Sequence, residues 1–304
     1  MTKGDRISRR AALGCAGAIF FLSPAALAQT ENQYPAITPA SKLVSYVDAA
    51  GQLVAIEALI RGEGPLVVML PAGSRGASDF DDLASRIAAA GYRTAAVNPR
   101  GIGNSKGPRL ERIADHLRDL VEVIEQLSPG GAPAGGVVVI GHAFGNRMAR
   151  ALASFHPQAV SSLILLAAGG QVAPKPEAAA ARRSLLNPAL SPEEQMAAMR
   201  IAYFAQGNSP EAWRLGWHRD AGADMAAALR KIPADSWVGA GKAPLYVIQG
   251  AEDNFAPPAN SEALKSAYPD RVGVATLANA GHQMLAEQPE RLAELVIARL
   301  NKLK

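Results

Sequence analysis

Short β-branched runs alternate with helical stretches over most of this chain, and that alternation restricts the fold more than any other feature. The runs fall at 43–47, 54–59, 66–70, 94–98, 137–140, 163–166, 245–249 and 272–277. Each has the length and the Val, Ile and Leu content of a buried strand. Between most of them lie helical stretches at 79–90, 110–127, 146–155, 261–268 and 289–303. Parallel strands need crossover connections, usually helices. The pattern therefore predicts an α/β protein with a mostly parallel eight-stranded sheet covered by helices on both faces. The first two runs are close enough to pair as an antiparallel start. In a sheet of this kind, ligands bind at the carboxyl ends of the strands.

One interval breaks the alternation. Residues 171–242 hold helical patches but no convincing strand, far more chain than an ordinary connection uses. Ser191-Pro192-Glu193-Glu194 marks a helix start, with Ser as the cap and Pro in the first turn. A second helix is expected over 223–231, after Gly222. Tyr203, Phe204, Trp213, Trp217 and His218 lie between them, in a chain that is only 5% aromatic. The expectation is a helical lid inserted into a core made of residues 43–170 and 243–304, with Trp213 and Trp217 contacting substrate. The plainer alternative is a helical extension packed away from any site. Met196 and Met199 read as packing within this segment.

The N-terminus reads as an address. Lys3, Arg6, Arg9 and Arg10 precede an uncharged run over 11–28 that closes on Ala26-Leu27-Ala28, a small-x-small cleavage signal. Residues 1–28 are thus expected to be a secretory leader, with adjacent arginines that suggest the twin-arginine route and a periplasmic or secreted product. The run is short for a membrane span and is interrupted by Ser23-Pro24. Residues 29–42, with Pro35 and Pro39, read as a linker.

The leader also corrects the charge balance. The chain has 31 Lys and Arg against 27 Asp and Glu, but four of those bases and Asp5 lie in the leader, leaving 27 against 26. With no basic stripe elsewhere, a nucleic-acid partner is not expected. The single cysteine, Cys15, falls in the leader, which excludes a disulfide framework and Cys-cluster metal sites from the mature chain. No phosphate-binding glycine loop occurs, so no nucleotide cofactor is expected. The histidines outside the C-terminal loop form no metal-binding spacing. His142 reads as packing, His116 and His156 as surface or capping residues, and His218 as an exposed residue of the inserted segment. The partner that remains is a small molecule.

At the end of the run at 137–140, Gly141-His142-Ala143-Phe144-Gly145 leads straight into a helix. The spacing is that of a nucleophile elbow, in which two glycines permit a tight turn from strand to helix. Here the chain resembles the α/β-hydrolase family, over about residues 43–304. Four other segments fall in the family's order. They are Leu70-Pro71-Ala72-Gly73-Ser74, at the oxyanion loop; Arg100-Gly101-Ile102-Gly103-Asn104-Ser105; Gly250-Ala251-Glu252-Asp253, at the acid loop; and Gly281-His282 with Glu287-Gln288-Pro289-Glu290, at the histidine loop. The resemblance implies His282 as base and Asp253, rather than Glu252, as its acid. It implies an oxyanion hole from the N–H of Phe144 with that of Gly73 or Ser74.

The elbow residue is Ala143, and a methyl group cannot attack a carbonyl. Loss of the serine from a triad costs about six orders of magnitude in turnover. The expected chemistry is therefore hydrolysis of a small apolar ester or lactone by a water that His282 activates. Two alternatives stand beside it: lyase, isomerase or cofactor-free oxygenase chemistry by the same base, and ligand binding without turnover. Ser74 as a replacement nucleophile is disfavoured by its loop position.

Overall fold

The computed structural model describes residues 37–128 and 135–304. The leader and most of the linker lie outside the described residues, and so does what the sequence implied for them.

Eight strands form one sheet in the order β1-β2-β4-β3-β5-β6-β7-β8. The first half holds β1 (Ala40–Val47), β2 (Leu53–Arg61), β3 (Leu66–Leu70) and β4 (Arg93–Val97). The second holds β5 (Val137–His142), β6 (Val160–Leu166), β7 (Leu245–Gly250) and β8 (Val272–Leu277). β2 is antiparallel to both β1 and β4, and every other neighbouring pair is parallel. β1 begins at Ala40, so residues 40–42, expected in the linker, are strand. They pair with β2 while their side chains stay exposed, and an edge strand of that kind has no apolar run to betray it.

The strand pleat divides the core. On β3, Val68 and Leu70 point to one apolar layer, whereas Val67 and Met69 point to the other. The first layer is closed by α2 (Ile113–Leu127) and α3 (Phe144–Phe155). The second is closed by α1 (Asp81–Ala89) and α10 (Pro289–Asn301). The expected helix at 110–127 starts three residues late. His116 is buried within it rather than on the surface, because its face of α2 turns toward the sheet.

Residues 171–242 carry α4 (Pro176–Ser184), α5 (Pro192–Tyr203), α6 (Arg219–Arg230) and α7 (Asp235–Val238), with no strand among the described residues. The Ser191 cap closes a reciprocal pair with Glu194 that starts α5. α6 begins at Arg219, four residues before the expected start. Ala181, Leu185, Met199, Tyr203 and Trp213 from this insertion pack with Ala72, and Ala143 lies against the same cluster. α8 (Ala259–Ala267) and α9 (Met284–Glu287) complete the chain. No helix among the described residues is long and apolar enough to cross a membrane.

The strand order also locates a crevice. From β3 the chain crosses to β4 on one side, and from β5 it crosses to β6 on the other. The carboxyl ends of β3 and β5 are neighbours at this switch in direction, which is where open α/β sheets leave room for a ligand.

Candidate active site

The turn at the end of β5 is made by one residue. β5 ends at His142 and α3 starts at Phe144, so Ala143 alone reverses the chain, at φ 50° and ψ −108°. That backbone is strained for an L residue and persists only where its surroundings impose it. Here Ala143 N donates to Leu166 O at 3.0 Å, and Asn146 N donates back to Ala143 O at 3.2 Å. The two flanking glycines are needed for close approach. A Cβ on Gly141 would lie 2.5 Å from Gly145 O, and one on Gly145 would lie 2.0 Å from Leu70 O.

Asp253 and His282 meet as the sequence order implied. His282 Nδ1 lies 2.9 Å from Asp253 Oδ2, and both side chains are almost wholly buried. Asp253 also accepts from Phe255 N, Ala256 N and Gln249 Nε2. A carboxylate filled by that many donors must receive a proton from the ring, so Nδ1 carries the hydrogen and Nε2 has a free lone pair. The neighbouring Glu252 instead accepts from Gln206 N and takes no part.

The histidine loop is anchored to the insertion. His282 N donates to Tyr203 O at 2.7 Å. Glu287 accepts from Ala205 N, Gly281 N and Asn208 Nδ2, with its own pKa raised by burial against the pull of those donors. His142, directly before the turn, is fully buried and touches the same loop, its Nε2 2.8 Å from His282 O. Burial, with His282 and Arg75 nearby, pushes its pKa down to about 3, so it is a neutral scaffold residue, as the sequence suggested.

The loop after β3 sits against the turn. A Cβ on Gly73 would lie 3.3 Å from Phe144 Cβ. Phe144 N–H, in the first turn of α3, has no carbonyl one turn back within the helix to bond. Ser74, at φ 67°, is pressed under α6, because a Cβ on Gly222 would lie 1.8 Å from its Oγ. Arg75 then ties the loop to the insertion. It pairs with Asp79, donates to Leu215 O and lies over both Trp213 and Trp217.

A cavity of about 650 Å³ opens between these loops and the insertion. Gly73, Ser74, Ala143, Phe144, Trp213, Trp217 and His282 all border it, so every residue expected at the site except Asp253 reaches its wall. Asp253 stands behind His282. The sequence reading missed four charged residues on that wall, Arg147, Arg182, Arg219 and Arg230. Arg147 had a signal: it follows Ala143 by four residues on a helix, which puts both on one face. His218 is half-buried and precedes α6, with its N–H on Ser74 O. The Arg100 turn is scaffold. Arg100 pairs with Asp119 and Tyr46, and Glu57 gathers Asn98 and Asn104 behind it.

The fold is that of the α/β-hydrolases. A thermophilic esterase from Thermogutta terrifontis superposes with a TM-score of 0.69 at 21% identity, over 86% of this chain and 98% of that one. An esterase from Exiguobacterium antarcticum gives 0.68 at 20%, over 85% and 99%. A hydrolase from Pseudomonas aeruginosa gives 0.67 at 20%, over 85% and 98%. The chain belongs to the serine aminopeptidase S33 family of α/β-hydrolases, whose family model spans residues 65–289.

Proposed function

We propose that this protein is an exported hydrolase that opens a small ester, lactone or similar carbonyl compound with a water molecule rather than a serine. The observation that carries this reading is the buried Asp253–His282 pair beside a cavity that Ala143 also borders. A methyl group at the apex leaves room where a serine oxygen would stand, and Nε2 of His282 is the free base on that side. Water would give its proton to Nε2 while its oxygen bonds to the carbonyl carbon. The N–H of Phe144, with that of Gly73 or Ser74, would hold the oxygen that becomes negative. Collapse of that adduct would expel the alkoxide, which takes the proton back from Nε2. The insertion acts as the lid of this cavity, with Trp213 and Trp217 against the substrate.

The test is turnover of activated esters and lactones by the chain from Gln29 onward. We expect activity that serine-directed fluorophosphonates leave intact and that His282→Ala removes. Fluorophosphonate labelling of Ser74 would overturn the water mechanism. The absence of any nucleophile at Ala143 favours a second reading, proton abstraction by the same base in a lyase or isomerase reaction. It predicts no ester turnover but His282-dependent conversion of a substrate with an acidic C–H. Export rests on the leader sequence and predicts a periplasmic product beginning at Gln29, which fractionation and N-terminal sequencing would check.

A further inference from the structure

The cavity wall carries an imbalance of charge. Arg147, Arg182, Arg219 and Arg230 border it, and no Asp or Glu does. Among the described residues nine other arginines have a carboxylate partner within ion-pair distance, and these four have none. Arg219 is held by Leu185 O, and Arg182 lies against Tyr203. Arg230 is at the exposed rim.

Arg147 is the unusual member. It lies one helical turn beyond Ala143 and is half-buried, and its side chain makes no hydrogen bond or ion pair to any described residue. A Cβ on Gly169 would lie 4.0 Å from its Nη2 and 3.3 Å from Ala256 Cβ, so the guanidinium rests beside the loop that holds Asp253. Burial lowers its pKa, and no carboxylate acts to raise it. Arg150, one turn further along α3, adds a second cation and no anion. Keeping a desolvated guanidinium unpaired is costly, whereas a carboxylate or phosphate would match its fork with two hydrogen bonds. Apolar surface completes the wall: Leu185, Met199, Trp217 and Phe255 face the same space.

We propose that the cavity takes an amphipathic organic acid, its apolar body against the aromatic wall and its carboxylate on Arg147. This rests on the reading of the cavity as the substrate site and names the class of substrate. The reacting carbonyl and the carboxylate are then separate groups of one molecule, so half-esters and lactones bearing a free acid fit the site better than neutral esters.

Binding tests this independently of turnover. Trp213 and Trp217 border the cavity, so quenching of tryptophan fluorescence reports occupancy by 4-phenylbutyrate and by its neutral amide. We expect the acid to bind at least tenfold more tightly than the amide, about 1.4 kcal/mol. Arg147→Met should abolish that preference and Arg147→Lys should retain part of it. Amide binding by Arg147→Met would show that the cavity is still formed. Equal affinity for acid and amide in the wild type, or a preference that survives in Arg147→Met, would overturn the proposal. Competition by inorganic phosphate with no preference for the acid would assign the arginines to a free oxyanion instead, and also overturn it. If the acid is preferred but no ester is turned over, the hydrolytic reading fails and the assignment of Arg147 stands.

Discussion

Ala143 keeps the backbone of a nucleophile elbow without a nucleophile. Its φ of 50° and ψ of −108° cost an L residue roughly 1–3 kcal/mol. An alanine could adopt a relaxed turn if the surroundings allowed one. They do not, because Gly141 and Gly145 bring α3 into contact with the carbonyl of Leu70. The strain is therefore imposed by packing rather than by the chemistry of residue 143. Two outcomes follow from that. Ala143→Gly relieves the Cβ clash at the expense of a freer unfolded chain, and should stabilise by about 1 kcal/mol, seen as a rise of about 2–4 °C in melting temperature. Ala143→Ser would present a hydroxyl in a ready-made elbow beside His282. We expect it to acquire labelling by fluorophosphonates at residue 143; a folded variant that stays unlabelled would mean that Nε2 and the apex are misaligned.

At the scale of elements, the site is where three loops are bolted to one insertion. Glu287 is the central bolt, since its carboxylate holds Gly281 N in the histidine loop together with Ala205 N and Asn208 in the insertion. Glu287→Ala leaves two backbone donors without their acceptor and should cost roughly 2–3 kcal/mol. It should also weaken any His282-dependent activity more than Glu290→Ala, whose carboxylate meets Arg86 far from the cavity wall. Urea unfolding and turnover of the two variants side by side would check both effects. The same loops explain what could be read in advance. The elbow, the acid loop and the histidine loop are short turns in which glycine and one polar residue are required locally, so their pattern survives in one dimension. Arg182 did not stand out, because a helix arginine looks alike whether it faces water or a cavity, and Arg147 carried only its four-residue spacing from Ala143. Whether they reach the cavity depends on how α3, α4 and α6 come together around it, which no local pattern records. His116 was misread for the same reason, as only the packing of α2 decides which of its faces is inside.

For the molecule as a whole, the buried histidines set the response to acid. Burial pushes the pKa of His142 down to about 3. It pushes that of His116 down to about 4, with Arg100 acting in the same direction and Asp115 and Asp224 against it. Both folded values lie below the free-histidine value of 6.5 that each ring regains in the unfolded chain. The unfolded chain therefore binds these protons first. The stability that the two neutral rings supply is complete above about pH 6.5 and is lost progressively as the pH falls toward 3–4. With two protons at stake, the slope approaches about 3 kcal/mol per pH unit between those limits. Glu57 acts later. Burial alone would raise its pKa, but hydrogen bonds from Asn104, Ser41 and Asn98 outweigh it and hold the group at about 2 against an ordinary 4.5. Its contribution is therefore present above pH 4.5 and lost only as the pH falls through about 2. Denaturant titrations from pH 7.5 to 4.5 should show stability declining as the unfolded chain takes up these histidine protons. His116→Gln removes one of the two protons and should make that decline about half as steep. A stability that stays level from pH 7 to 5 in the wild type would mean that neither ring is held neutral by the fold.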